Sequence, residues 1–152
     1  MMLLLMAFLI NAAWANPGAE GIYTYAFGAY NEATATGATT TTSGTDGVMN
    51  SMTITPPAGT YIVIFSTWCS HSTNGATVTI SIYNNGTQDT GSLVTILPRV
   101  TSSAGTPATF DLPVGIISVE VATGSDAIAI EWSTSSGTAT CTNRTLDLVR
   151  LQ

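Results

Sequence analysis

Lysine is absent from this chain of 152 residues, and Arg99, Arg144 and Arg150 are its only cationic side chains besides a single histidine. Nine carboxylates oppose them, for a net charge of -6. Nucleic-acid affinity rests on rows of cationic contacts to phosphates, which three arginines do not supply, so DNA and RNA are excluded as partners. A polybasic membrane patch is excluded on the same ground. One histidine and two cysteines are too few for a four-ligand structural zinc site of the usual kind. No Walker loop, GxGxxG after a strand, HExxH or GxSxG pattern occurs. The sequence therefore offers no catalytic residue, no metal ligand set and no cofactor site.

Charged residues make up only 8% of the chain, against about 25% in ordinary soluble domains. Hydrophobic residues hold a usual 45%. Threonine, serine, glycine and asparagine fill the gap, so the surface is wetted by hydroxyls and amides rather than ions. The length suits one domain that buries roughly 70% of its unfolded surface without needing a disulfide.

Three regions follow one another. Residues 1–20 open with the uncharged apolar run MMLLLMAFLINAAWA, shorter than the roughly 20 residues a transmembrane helix needs. Two readings stand side by side. As a secretory signal it has an apolar stretch from Leu3 to Ile10 and an AxA-like site at Ala13, Trp14 and Ala15, but no basic leading region. As a retained arm it would pair with neighbouring subunits. Asn16, Pro17 and Gly18 then stop any helix.

Residues 21–47 comprise a strand with Tyr23, Tyr25 and Phe27 at period two, then the tract ATATGATTTTSGTDG. That tract reads as a connector, or as an extended β arm lying on a neighbour. Tyr23, Tyr25 and Phe27 are the interface candidates, because their strand would otherwise present an apolar face to water.

Residues 48–152 read as almost wholly β. Met52 and Ile54 alternate with Thr53 and Thr55, and residues 61–70 (YIVIFSTWCS) are apolar on both faces in their first half, as in a central strand covered on both sides. Val78, Ile80 and Ile82 alternate with hydroxyl residues before an Asn85-Gly86 turn. Further strands are expected at 93–97, near Phe110 and Leu112, and at 116–121, 128–132, 138–141 and 145–151. Turns at Gly124-Ser125-Asp126 and Ser135-Ser136-Gly137 suggest that the last strands form an antiparallel meander. Turn spacing is that of a sandwich or barrel.

Several residues invite a chemical reading. Cys69 and His71 share one side of a strand, but no carboxylate lies nearby in sequence to orient a thiolate–imidazole pair, so a surface histidine beside a structural cysteine is expected. Asp46, Asp89, Asp111 and Asp126 fall near turns without a calcium-loop pattern, and are expected to be solvated turn residues. Asn85-Gly86-Thr87 and Asn143-Arg144-Thr145 fit the glycosylation sequon. Tyr30, Trp68 and Trp132 serve packing or, if exposed, sugar stacking.

Four ordered segments carry a family resemblance: Pro-Pro-Ala-Gly-Thr-Tyr at 56–61, Ser81-Ile82-Tyr83 running into Asn85-Gly86-Thr87-Gln88, Glu131-Trp132, and Gly137-Thr138-Ala139-Thr140 with Asn143-Arg144 and Leu146-Asp147-Leu148. Over residues 48–152 the chain resembles small jelly-roll domains of tailed-phage structural proteins, themselves similar to C1q and tumour-necrosis-factor-like β-sandwiches. The resemblance implies an all-β antiparallel jelly roll of roughly ten strands, trimers about a threefold axis, and display on a virion beside the major capsid or another virion protein. It carries no catalytic residues. A secreted or cell-surface C1q-like module recognising glycan or protein is the alternative, and a host surface glycan is a further candidate partner. In such sandwiches the last strand lies antiparallel to the third long strand. The resemblance thus brings Cys69 near Cys141, where a disulfide or two buried thiols would fit. The apolar N-terminus and the two cysteines depart from the family pattern.

Overall fold

A computed structural model of the chain describes residues 30–103 and 106–151. Their strands are β1 (Tyr30–Ala35), β2 (Thr39–Thr41), β3 (Gly47–Ile54), β4 (Gly59–His71), β5 (Val78–Asn84), β6 (Thr87–Gln88), β7 (Val94–Ile96), β8 (Val100–Ser103), β9 (Thr106–Thr109), β10 (Leu112–Ala122), β11 (Ile128–Thr134) and β12 (Ala139–Leu151). The first sheet has the order β1-β12-β4-β10, with β2 also on the edge of β12. A second sheet has the order β3-β11-β5-β6, with β7 also on β5, and β8 pairs with β9 in a separate hairpin. The chain forms an antiparallel jelly-roll sandwich. The interface candidates Tyr23, Tyr25 and Phe27, and the apolar run before them, lie outside the described residues.

Period-two patterning builds the core. In β4, Tyr61, Val63, Phe65, Thr67, Cys69 and His71 all point inward and are buried. Val114 and Ile116 of β10 and Leu146 and Leu148 of β12 extend that layer, and Val78, Ile80, Ile82, Ile128, Ile130 and Trp132 face it from the second sheet. β3 contributes Met49 and Met52, three apart and both buried. Strict alternation would put them on opposite faces, but Ser51 between them takes a φ of 65°, and the β3–β11 register shifts there. At Asn85-Gly86 both φ values are positive (50° and 75°), as a two-residue hairpin turn between β5 and β6 requires.

Four expectations are corrected. β10, β11 and β12 do not form a meander: β10 and β12 flank β4 in the first sheet, whereas β11 lies in the second between β3 and β5. Turn residues specify that a chain reverses, not which sheet receives it. The strands expected at 138–141 and 145–151 are one strand, broken by a bulge between Thr142 and Thr145 where Asn143 has a φ of 49°. The Thr-rich tract is not simply a connector, because the end of β1 and all of β2 lie within it and pair with β12 of the same chain. The described sandwich thus begins at Tyr30 rather than at residue 48. β4 is central in its sheet, but the described residues cover it on one side only, since Ser66 and Trp68 on its outer face are exposed and Ile62 and Ile64 are half-buried.

Polar side chains close the sandwich where its layers would gape. Inward positions 118 and 120 of β10 are polar because they lie over the edge of the second sheet. There the Ser118 hydroxyl donates to Asp89, and Asn84 Nδ2 donates to Glu120 (3.0 Å) and to the Val121 carbonyl (2.9 Å). Arg144 closes the opposite side. Its guanidinium is buried, and its Nη1 donates to the carbonyls of Gly37 (2.6 Å) and Cys141 (2.9 Å), tying the β1–β2 corner to the β12 bulge. Burial lowers its pKa, and its Nε has no hydrogen-bond partner. Replacing Arg144 with alanine strands two carbonyls, a loss of about 1–3 kcal/mol. Amide exchange at residues 31–41 should accelerate more than exchange in β5 or β11, and equal protection throughout would show that this arginine does not hold the edge.

Candidate functional site

Register turns the outer face of the first sheet into ordered rows. Tyr30, Val149, Ile62 and Val119 lie side by side across β1, β12, β4 and β10. The next row holds Glu32, Asp147, Ile64 and Ile117, and at the other side Leu151, Thr60 and Val121 line up. Ile117, Val119, Val121 and Tyr30 are 71%, 60%, 65% and 57% exposed. Neighbouring apolar side chains on adjacent strands make this a contiguous patch rather than scattered surface residues, and patches of that kind mark interaction sites. Its only carboxylates are Glu32 and Asp147, and Asp147 Oδ1 accepts the Tyr30 hydroxyl at 2.7 Å. Towards the other end of the face the rows turn polar, with Ser66, Ser70, Thr140 and Thr142 around the half-exposed Trp68.

The second sheet has a different outer surface. Tyr83 donates to Asp46 Oδ2 at 2.7 Å, and Gln88 Nε2 donates to Ser81 Oγ at 2.9 Å. Glu131 belongs to the same surface, and desolvation, then the nearby Asp46, raises its pKa. On this side polar groups satisfy one another.

Cys69 and Cys141 face each other directly across β4 and β12 and are joined in a disulfide, with a Cα separation of 4.1 Å. Both are fully buried. His71 is buried too, which corrects the surface position expected for it. The Thr73 amide donates to Nδ1 at 2.8 Å, the Thr73 carbonyl lies 3.1 Å from the same nitrogen, and Nε2 is hydrogen-bonded to Thr134 Oγ1 at 2.7 Å. The Thr134 hydroxyl passes its own proton to the Ser136 carbonyl at 2.9 Å. The imidazole thus joins two loops, and no carboxylate is among its hydrogen-bond partners. A side chain at Gly137, where φ is 62°, would collide with the Thr73 hydroxyl beside that ring.

The turn carboxylates have local work. Asp89 Oδ1 accepts the Gly91 amide at 2.9 Å and Asp126 Oδ2 accepts the Thr123 amide at 2.8 Å, each closing its own turn, while Asp46 holds Tyr83. Asp111 is exposed. Among the described residues no group of three histidine, cysteine, aspartate or glutamate side chains is placed to hold a metal ion. Both sequon asparagines, Asn85 and Asn143, are exposed. Trp132 packs in the core, while Trp68 and Tyr30 stand on the apolar sheet's outer face.

Sequence reading singled out neither Ile117, Val119 and Val121 nor the row they complete. The signal was present: IISVEV and YIVIF are apolar at both parities, and only the pairing of β10 with β4 shows that the second parity of each meets the other on one surface.

No family model matches the chain, and no curated protein matches it. Among solved structures, a dimeric latent PorU from Porphyromonas gingivalis is similar with a TM-score of 0.45 and 10% identity, over 88% of this chain and 13% of that one. The chain therefore spans a small part of that protein, and so distant a likeness carries no functional information.

Two hydroxyls report on the two outer surfaces. The hydrogen bond to Asp147 pushes the Tyr30 pKa up to about 12, and the bond to Asp46 does the same for Tyr83, from an ordinary 10.0. Folding favours the protonated phenol in both. The stability these bonds contribute is therefore whole below pH 10 and is lost as pH rises towards 12. In an absorbance titration of the folded protein, Tyr30→Phe and Tyr83→Phe should each remove one late-ionising phenol. Loss of an early-ionising one instead would show that the carboxylate bond is not made.

Proposed function

We propose that the protein is a non-enzymatic structural subunit of a phage virion, a capsid decoration or cement protein or a short head or tail fibre subunit, assembling as jelly-roll trimers. One observation supports this reading above others: the apolar rows on the outer face of the first sheet, which no described strand covers. Burying a side chain such as valine or isoleucine is worth about 1.5–3 kcal/mol, so that face gains from a neighbour, and the second sheet's polar face gains little. Low charge works in the same direction, because a surface with few ions is covered without the several kcal/mol that each unpaired ion costs to desolvate. The N-terminal residues would tie the trimer to the major capsid or another virion protein.

A second reading is favoured by the buried Cys69–Cys141 bond, which suits a secreted or cell-surface binding module. On that reading Trp68, among small hydroxyl side chains, is the group that would stack on a glycan ring.

Assembly is tested by light scattering of the purified chain. A mass three times that of the monomer is expected, falling to one with Ile117→Asp and Val119→Asp combined while the circular dichroism of the folded sandwich is kept. A wild-type protein that stays monomeric at high concentration overturns the assembly reading.

A further inference from the structure

The geometry points to a binding site for an uncharged glycan on the polar end of the first sheet's outer face, with the Trp68 indole as its stacking surface and the flanking hydroxyls as its hydrogen-bonding frame. The inference rests on the binding-module reading and gives it a place and a ligand class. Register builds the site. Thr142, Trp68 and Pro113 stand side by side across β12, β4 and β10. The row on one side holds Thr145, Ser66 and Gly115, and the row on the other holds Thr140 and Ser70. Side chains on one face recur about every 7 Å along a strand and strands lie about 5 Å apart, so the three rows make a platform of about 14 Å by 10 Å. One or two pyranose rings fit on it.

Three features suit this platform to sugar rather than to protein. Trp68 is 45% exposed between small neighbours, Ser66 and Ser70 on its own strand, and the space over Gly115 is open. The apolar C–H face of a sugar ring can therefore lie against the indole. The second feature is unused hydrogen-bonding capacity. The Thr142 carbonyl accepts Thr67 from inside the sheet, but its hydroxyl, like those of Ser66, Ser70 and Thr140, has no hydrogen-bond partner among the described residues. Hydroxyls both donate and accept, as sugar hydroxyls require, whereas the centres of protein interfaces are poor in serine and threonine.

Charge is the third feature, and it selects among glycans. Among the described residues, the only charged side chains on the outward face of this sheet are Glu32 and Asp147, both in the row of Ile64 and Ile117. Arg144 is buried, and Arg150 bonds to the Ala58 carbonyl. A uronic acid or a sulfated sugar would meet no cation here and a net charge of -6 on the whole chain. Trp68 also lies four residues along β4 from Ile64, about 13 Å, so a neighbour can cover the apolar rows and leave the indole open.

The test applies the purified full chain to an array of neutral, uronic-acid and sialylated oligosaccharides. The strongest neutral ligand is then titrated while the Trp68 indole N–H resonance, assigned by its loss in Trp68→Phe, is followed. Expected is binding confined to neutral glycans, with the Trp68 resonance shifting and that of the buried Trp132 still. Trp68→Ala should weaken binding about tenfold or more, and Trp68→Phe less. Ser66→Glu leaves the indole in place but sets a charge beside it, and should weaken binding as well; Tyr83→Phe on the second sheet should change nothing. Binding confined to acidic glycans overturns the inference, as does a Trp68→Ala change that dissociates an oligomer, which would make the indole a subunit contact. Neutral binding that survives both Trp68→Ala and Ser66→Glu overturns the site and leaves the binding-module reading standing. Binding to no glycan overturns the site together with the glycan half of that reading.

Discussion

The antiparallel union of β4 with β12 is the contact on which the remaining architecture depends. It joins residues that lie far apart in sequence, 72 positions in the case of Cys69 and Cys141, and every other strand of the first sheet takes its register from one of these two. Closing so large a loop costs entropy before any contact is gained, which makes such pairings slow to form. The compensation is length: both strands have 13 residues, and they pair along nearly all of them. A disulfide at this pairing is worth about 4–5 kcal/mol in the chain-entropy account, and it sits at the end where the β12 bulge interrupts the ladder.

A chain with so few charges has to solve its interior polar problems with hydroxyls and backbone groups. Thr67 donates across the bulge to the Thr142 carbonyl, Ser92 donates to the Asp89 carbonyl and accepts the Ile82 amide, and Thr134 links His71 to the loop at Ser136. The hydroxyls carry no charge, so none of them has to be desolvated as an ion. Arg144 is the exception, and it is spent where two carbonyls at a strand corner have no ladder partner. The threonines that give the composition its character do two jobs: outward ones wet the sheets, and inward ones replace missing backbone bonds.

How much of this could be read in advance follows from the range of the interactions. Strand positions and the Asn85-Gly86 turn were legible because they depend on period-two patterning and on φ preferences, both local properties. The all-β sandwich class was legible through short alternating strands recurring between turn residues. Burial of His71 was not: it lies at the end of β4, in a stretch of Ser, His, Thr, Asn and Gly that looks like a surface loop, and its partner Thr134 comes from the far sheet. The meander was misread because turn chemistry carries no information on sheet membership. Residues 33–47 looked like a linker because threonines on an edge strand show weak alternation, and their partner is the last strand of the chain.

The apolar face shows most plainly why pairing matters more than composition. Ile62 and Ile64 on β4, taken alone, argue for a strand buried on both sides, and Ile117 and Val119 on β10 argue the same separately. Placed in register they become one surface, and no third layer among the described residues covers it. Two carboxylates near its margin, one holding Tyr30, do not interrupt it. On the opposite sheet Tyr83 bonds to Asp46 and Gln88 to Ser81, and Val48 is a lone exposed aliphatic beside Glu131. An isolated sandwich gains nothing from such asymmetry. The proposed subunit, with one face against a neighbour and the other in water, would use it.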